Sequence, residues 1–219
     1  MPKPPPDVQP ELFRGDLSDE RLAVHLASPD LAVDTETMGL QPLRDRLCVV
    51  QICDRNGNAS LVQIPAFSVG SPKPSDRAPC LKRLLEAPGV LKVFHFARFD
   101  VATLRHYLGI QVAPLYCTRT ASKLARTYTP RHGLKDLVLE LLDVEMDKTA
   151  RHTDWSSETL NREQIAYAIS DVTLLLPLMD RVHRMLERAG RVELALRCFE
   201  AIPTFAQLDL LGYEDIFPH

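Results

Sequence analysis

No run in this chain of 219 residues approaches the ~20 consecutive apolar residues that a membrane helix needs. The opening Met1-Pro-Lys-Pro-Pro-Pro also lacks the apolar centre of a secretory signal. A cytoplasmic location, with no membrane partner, is the expectation. The five cysteines, Cys48, Cys53, Cys80, Cys117 and Cys198, are odd in number and contain no Cys-x-x-Cys pair, which argues against a disulfide framework and against a zinc site. Most lie in apolar runs, where a thiol behaves as a small hydrophobe. An excess of positive charge is missing too: a formal net charge of −3 leaves no overall basic footprint for wrapping long nucleic acid, although a local basic groove stays open. What remains is 45% hydrophobic and 25% charged, an ordinary globular composition able to bury one core.

Punctuation residues divide the chain into elements. Residues 1–10 are a proline-rich arm. Ser18 caps a helix through Asp19, Glu20, Leu22 and Leu26 that ends near Ser28-Pro29. The runs 31–37, 46–53 and 59–64 read as strands, the last two joined by Asp54-Arg-Asn-Gly-Asn58, whose Asn-Gly predicts a hairpin. The first three strands therefore form an antiparallel meander. Residues 65–79, with four prolines, are a loop long enough to suggest a surface role. Helix 81–85, strand 90–95, helix 98–108 and strand 112–117 follow, then helices over 118–128, 134–142, 162–188 and 191–200. A meander followed by strand-helix alternation predicts a mixed α/β sheet with helices on both faces, one domain spanning residues 1–219. The tail 203–219 is apolar enough to dock on its own domain or on another subunit.

Within this frame the chemistry gathers on acids. Leu31-Ala-Val-Asp-Thr-Glu-Thr-Met-Gly-Leu40 begins as a buried strand, and Asp34 and Glu36, two positions apart, point to the same face. Two such carboxylates repel unless a cation neutralises them, and oxygen-only ligands suit Mg²⁺ or Mn²⁺ rather than zinc. Asp100 opens the helix after strand 90–95, at the carboxyl end of the sheet where open sheets place their sites. Tyr167 and Asp171, four apart, share one helix face. That line, continued by Leu174 and Leu178, is turned roughly 140° from the apolar stripe of Ile165, Ile169, Val172 and Leu176. Both faces of the helix are therefore expected to be covered, one by the core and the other by a site.

Asp34-x-Glu36, Asp100 and Tyr167-x-x-x-Asp171 together resemble the ribonuclease D-like branch of the DEDD 3′→5′ exonucleases, the subgroup with tyrosine in its last motif. His132-Gly-Leu-Lys-Asp-Leu137 and Thr153-Asp-Trp155 look like that family's linking segments. The likeness covers nearly the whole chain, but the C-terminal helical domain of full-length ribonuclease D is missing. The length and the closing Asp215-Ile-Phe217 are similar to compact members that clear very short RNAs.

The resemblance implies a ribonuclease H-like (DnaQ-like exonuclease) fold and two divalent ions, Mg²⁺ or Mn²⁺, held by Asp34, Glu36, Asp100 and Asp171. Asp34 would bridge the ions, Glu36 and Asp171 would complete the nucleophile side, Asp100 would support the second ion, and Tyr167 would orient water. It also implies substrate contacts: Met38 and Leu40 against the terminal base, His95, Phe96 and Arg98 beside Asp100, and Lys135 with Arg131 and His132 for a 5′ phosphate. Trp155, the only tryptophan, is read as a packing anchor. The implied substrate is short RNA, or DNA, with a free 3′ end, and the implied assembly is a homo-oligomer such as a ring-like octamer. A broader exonuclease on longer ends is the rival within the class; a silent nucleic-acid-binding module, which retains RNA without shortening it, is the rival outside it.

Overall fold

The computed structural model describes residues 8–68, 70–146, 153–213 and 216. The closing Asp215-Ile-Phe217 and residues 1–7 of the arm lie outside the described residues, Ile216 excepted. Six strands form one sheet: β1 (Glu11–Arg14), β2 (Asp30–Thr37), β3 (Leu47–Cys53), β4 (Ala59–Gln63), β5 (Leu91–Phe94) and β6 (Leu115–Cys117), in the order β1-β4-β3-β2-β5-β6. The helices are α1 (Asp19–Leu26), α2 (Pro79–Leu85), α3 (Ala97–Leu108), α4 (Thr118–Ala125), α5 (Leu134–Leu142), α6 (Arg162–Thr173), α7 (Leu175–Arg188) and α8 (Val192–Leu210).

The meander is present: β2 pairs antiparallel with β3, and β3 with β4. Its hairpin is held by Asp54, whose carboxylate accepts from the Asn56 and Asn58 amides at 2.9 Å each, while Gly57 takes the positive φ of +83° that the turn requires. β5 joins β2, and β6 joins β5, in parallel register. The apolar runs of β2 and β3 fill the centre, and all seven residues of β3 are buried.

Three differences from the sequence expectation have local causes. β1, within residues not assigned to a strand, adds in parallel to β4 at the sheet edge. The segment 162–188 is two helices, α6 and α7, because Pro177 has no amide to donate to the Thr173 carbonyl one turn back. In the other direction, α8 passes through Pro203 to Leu210, so residues 203–210 of the expected tail are helix. The proline removes one rung, and packing of α8 on α3 carries the helix across it: Arg98 of α3 makes a bidentate pair with Asp209 at 2.7 and 2.6 Å, with Phe205 beneath the guanidinium at 5.3 Å.

Lys92 on β5 is fully buried, yet each of its ammonium protons has an acceptor: the carbonyls of Ala87 (2.8 Å), Val90 (2.7 Å) and Ala113 (2.6 Å). One cation thereby ties the strand to the loops at both its flanks, satisfying groups that burial would otherwise leave costly. No helix among the described residues is long and apolar enough to cross a membrane.

Candidate active site

β2 carries the centre of the site. Its alternation turns Asp34 and Glu36 toward the face on which α6 packs, and α6 brings Asp171 to them. One carboxylate oxygen from each of Asp34, Glu36 and Asp171 lies within 4.8 Å of the others. Asparagine 161 starts α6 with a reciprocal capping box: its side chain accepts from the Gln164 amide at 2.9 Å, and the Gln164 side chain accepts from the Asn161 amide at 3.0 Å. Gln164 then donates to the Asp154 carbonyl at 3.0 Å, so the helix that presents Tyr167 and Asp171 is fixed at its origin to the 153–156 turn.

Asp100 comes from the other side of the sheet and stands outside that 4.8 Å group, near enough for its charge to act on Asp34. It sits in the first turn of α3, 3% exposed, and accepts from the Thr35 hydroxyl at 2.6 Å. Thr35 lies between the two acids of β2 and points away from them, so a single strand segment orients three of the four carboxylates. Nothing in the sequence reading singled out Thr35. A threonine in a strand reads as β propensity alone; the only signal was its place between Asp34 and Glu36.

The electrostatics are those of a cluster awaiting positive charge. Burial first, then the carboxylates of Asp100, Asp171 and Glu36, hold the Asp34 carboxyl well above its ordinary range. Burial also raises Asp100, against the Thr35 hydroxyl and the amides of Asp100 and Thr35, which pull it down. The Tyr167 phenol is raised by burial first and then by the neighbouring Asp171 and Glu36 carboxylates. Hard oxygen donors that converge and repel one another fit a divalent cation of the Mg²⁺ or Mn²⁺ kind. Trp155 packs under Tyr167, with ring centroids 6.0 Å apart, and is 4% exposed, as a packing anchor should be.

The residues around this centre are placed as follows. Met38 and Leu40 are exposed, 59% and 79%, on the turn that leaves β2. That turn is drawn tight by Asp45, which accepts from the Gln41 amide at 3.0 Å and binds Arg44. A Cβ on Gly39 would lie 2.2 Å from the Asp45 carboxylate, so the turn needs glycine there. Phe96, directly before α3, has φ +72° and is 49% exposed, with the Arg119 guanidinium 4.4 Å from its ring centre. A left-handed conformation at a non-glycine residue is strained and persists where surroundings impose it. His95 is oriented by Thr118, whose hydroxyl accepts from Nδ1 at 2.9 Å and donates to the Phe94 carbonyl at 3.1 Å. Arg98 is engaged by Asp209 as described, and Lys135 is exposed in the first turn of α5.

The sequence model of the 3′–5′ exonuclease family matches residues 15–187. The chain belongs to that family, in its DEDD-type, ribonuclease D-like branch. Among solved structures it is similar to Brucella melitensis NrnC bound to pGG, at 44% identity and TM-score 0.87, covering 97% of this chain and all 100% of the other. The same protein with bound Mg²⁺ matches at 44% identity and TM-score 0.85, over 95% of this chain and 98% of that one. Ribonuclease D of Acidiphilium cryptum is 37% identical over 174 residues, 80% of this chain and 41% of the relative. The chain thus spans about two-fifths of the length of the curated ribonuclease D relatives it matches. Escherichia coli RNase D, at 23% identity and TM-score 0.75, shares the fold over 91% of this chain and 51% of its own.

Proposed function

We propose that this chain is a single-domain, metal-dependent 3′–5′ exoribonuclease that cuts very short RNA, down to dinucleotides, into mononucleotides. The observation that carries the reading is the convergence of Asp34, Glu36 and Asp171 within 4.8 Å, with Tyr167 beside Asp171 and Asp100 held near them by Thr35. Support for a short substrate comes from the likeness to a protein solved with pGG and from a net charge of −3, which offers little to a long polyanion.

Asp34, between the other acids, would be shared by two divalent cations, with Glu36 and Asp171 completing one position and Asp100 supporting the other. When bound, such a pair supplies Lewis-acid stabilisation to a scissile phosphate and to the leaving 3′ oxygen, and makes water a stronger nucleophile. Tyr167 keeps its proton, because a phenol of ordinary pKa ~10 stays protonated at neutral pH and its surroundings raise it further. Its role is to orient the attacking water along the line to phosphorus rather than to take the proton. Met38 and Leu40 offer an apolar edge to the terminal base. The exposed Phe96 ring, clamped by Arg119, offers a stacking surface, His95 a polar contact and Lys135 a phosphate contact. Arg98 serves by fixing α8 to α3. The exposed Leu194, Leu196, Leu211 and Tyr213 support self-association, and a cytoplasmic setting accords with the substrate.

A length series of 5′-labelled RNAs from dinucleotide upward, with Mn²⁺ or Mg²⁺, tests this reading. Mononucleotide release with its maximum rate at two nucleotides, abolished by EDTA and by Asp34→Asn, is expected. Rates rising with length would select the broader exonuclease, and retention of RNA without shortening would select a binding module.

A further inference from the structure

The proline-rich segment 65–79, singled out by its length, walls a cavity of about 310 Å³ that shares no lining residue with the carboxylate site. Arg46, at the start of β3, is one side; His106 and Tyr107, at the end of α3, are another; Phe67 and Arg77 close it from the loop. It lies on the α3 side of the sheet, opposite the face that carries Asp34 and Glu36. On β3, Gln51 and Val49 stand opposite Asp34 and Glu36, whereas Cys48, which after Asp45 and together with Arg46 acts on the Tyr107 hydroxyl, points the other way. Tyr107 is also seven residues along α3 from Asp100, about 10 Å at 1.5 Å per residue.

The lining has the chemistry of a nucleotide site. The Arg77 guanidinium lies 3.9 Å from the Phe67 ring centre, and two of its five N–H groups are used, Nε to the Pro72 carbonyl and one terminal nitrogen to the Tyr107 carbonyl, both at 2.9 Å. Arg46 is held by the carbonyls of Ile64 at 3.0 Å and Ser156 at 3.1 Å. Among the described residues neither arginine makes an ion pair with a carboxylate and no acid lines the hollow; Asp45 and Asp154 act from beyond its wall, on Tyr107 and on Arg46. His106 stands edge-on to Tyr107, ring centres 4.7 Å apart, and is lowered by burial and then by Arg77, which places it beside that cation. Two preorganised guanidinium groups suit a phosphate; an arginine-capped phenylalanine and an edge-set phenol suit a base. The volume is at the small end of the range for ligand pockets, about 300–1,000 Å³, which accommodates one nucleotide and excludes a strand.

We infer that this cavity binds one nucleoside monophosphate, through Arg46 and Arg77 at the phosphate and Phe67, His106 and Tyr107 at the base. The inference does not rest on the proposed hydrolysis, although that reaction would release ligands of this class. The test is calorimetric titration of the full chain with adenosine 5′-monophosphate in EDTA, where the self-repelling carboxylates give a phosphate nothing to bind. One site per chain is expected, weakened at least tenfold by Arg77→Met and by His106→Glu. The second variant puts a carboxylate in the cavity at a side chain with no hydrogen bond among the described residues, so it leaves the loop's own bonds intact. Melting curves of both variants confirm that they are folded. Adenosine alone and inorganic phosphate alone should each bind at least tenfold more weakly than the nucleotide. Absence of saturable binding, unchanged binding in both variants, or inorganic phosphate as tight as the nucleotide would each overturn it.

Discussion

Replacing Thr35 by valine removes one hydroxyl and leaves the side-chain volume almost unchanged, so no cavity complicates the result. The lost bond is an O–H donor to a buried carboxylate at 2.6 Å, on an acid only 3% exposed. Hydrogen bonds to charged groups contribute roughly 1.5–3 kcal/mol, and the orphaned acceptor stays buried. About 2 kcal/mol corresponds to about 30-fold in a binding constant. That falls inside the roughly 10–100-fold that losing an outer partner of a metal ligand costs. Since Asp100 is proposed to support a cation, the loss should appear as a higher Mn²⁺ concentration for half-maximal mononucleotide release. Thr35→Ser, which keeps the hydroxyl, should stay within about threefold of the parent chain, an estimate on the same scale. A valine variant with unchanged Mn²⁺ dependence and unchanged turnover would refute the reasoning, because Asp100 would then hold its position without the strand.

Three further outcomes are expected. Tyr167→Phe should cut turnover about 100-fold while Mn²⁺ affinity, read by calorimetry, stays close to that of the parent; unchanged turnover would remove the phenol from the reaction. Lys92→Met leaves three buried carbonyls without their donor and should lower stability by about 3 kcal/mol in urea unfolding, with an unmoved midpoint as the contrary result. Buried His25, whose Nε2 meets the Ser60 hydroxyl at 2.9 Å, is lowered to about 4 by burial first and then by Arg21. Between pH 6.5 and about 4 the unfolded chain therefore binds a proton that the folded chain refuses. Stability should fall through that window by about 3 kcal/mol, and His25→Gln should flatten the slope; an equal slope in both proteins would contradict this account.

The parts of the site visible in the sequence were those that follow a fixed period. Asp34 and Glu36 two apart on a strand, and Tyr167 and Asp171 four apart on a helix, could be placed on common faces before any fold was known. Asp100 was visible from its position after a strand. The meander showed itself through the alternation of its runs and the Asn-Gly turn. What stayed hidden depended on contacts between distant segments. Thr35 matters because α3, 65 residues further on, lays Asp100 against it. Arg98, next to an acid of the site, reads as a phosphate contact until α8 supplies Asp209 from 111 residues away. The strand β1 is four residues at an edge, too short for alternation to register. The two prolines act oppositely: Pro177 falls in the first turn of α7, where a helix begins, and Pro203 lies inside α8, which α3 holds through Phe205 and Asp209. Propensity alone does not tell these cases apart.

A crystal of this chain soaked in Mn²⁺ and measured at the manganese absorption edge probes the central geometry directly. Anomalous density bounded by carboxylate oxygens of Asp34, Glu36 and Asp171, at oxygen-ligand distances, is the predicted result. An empty cluster, or manganese bound elsewhere with Asp171 turned from Asp34, would contradict it.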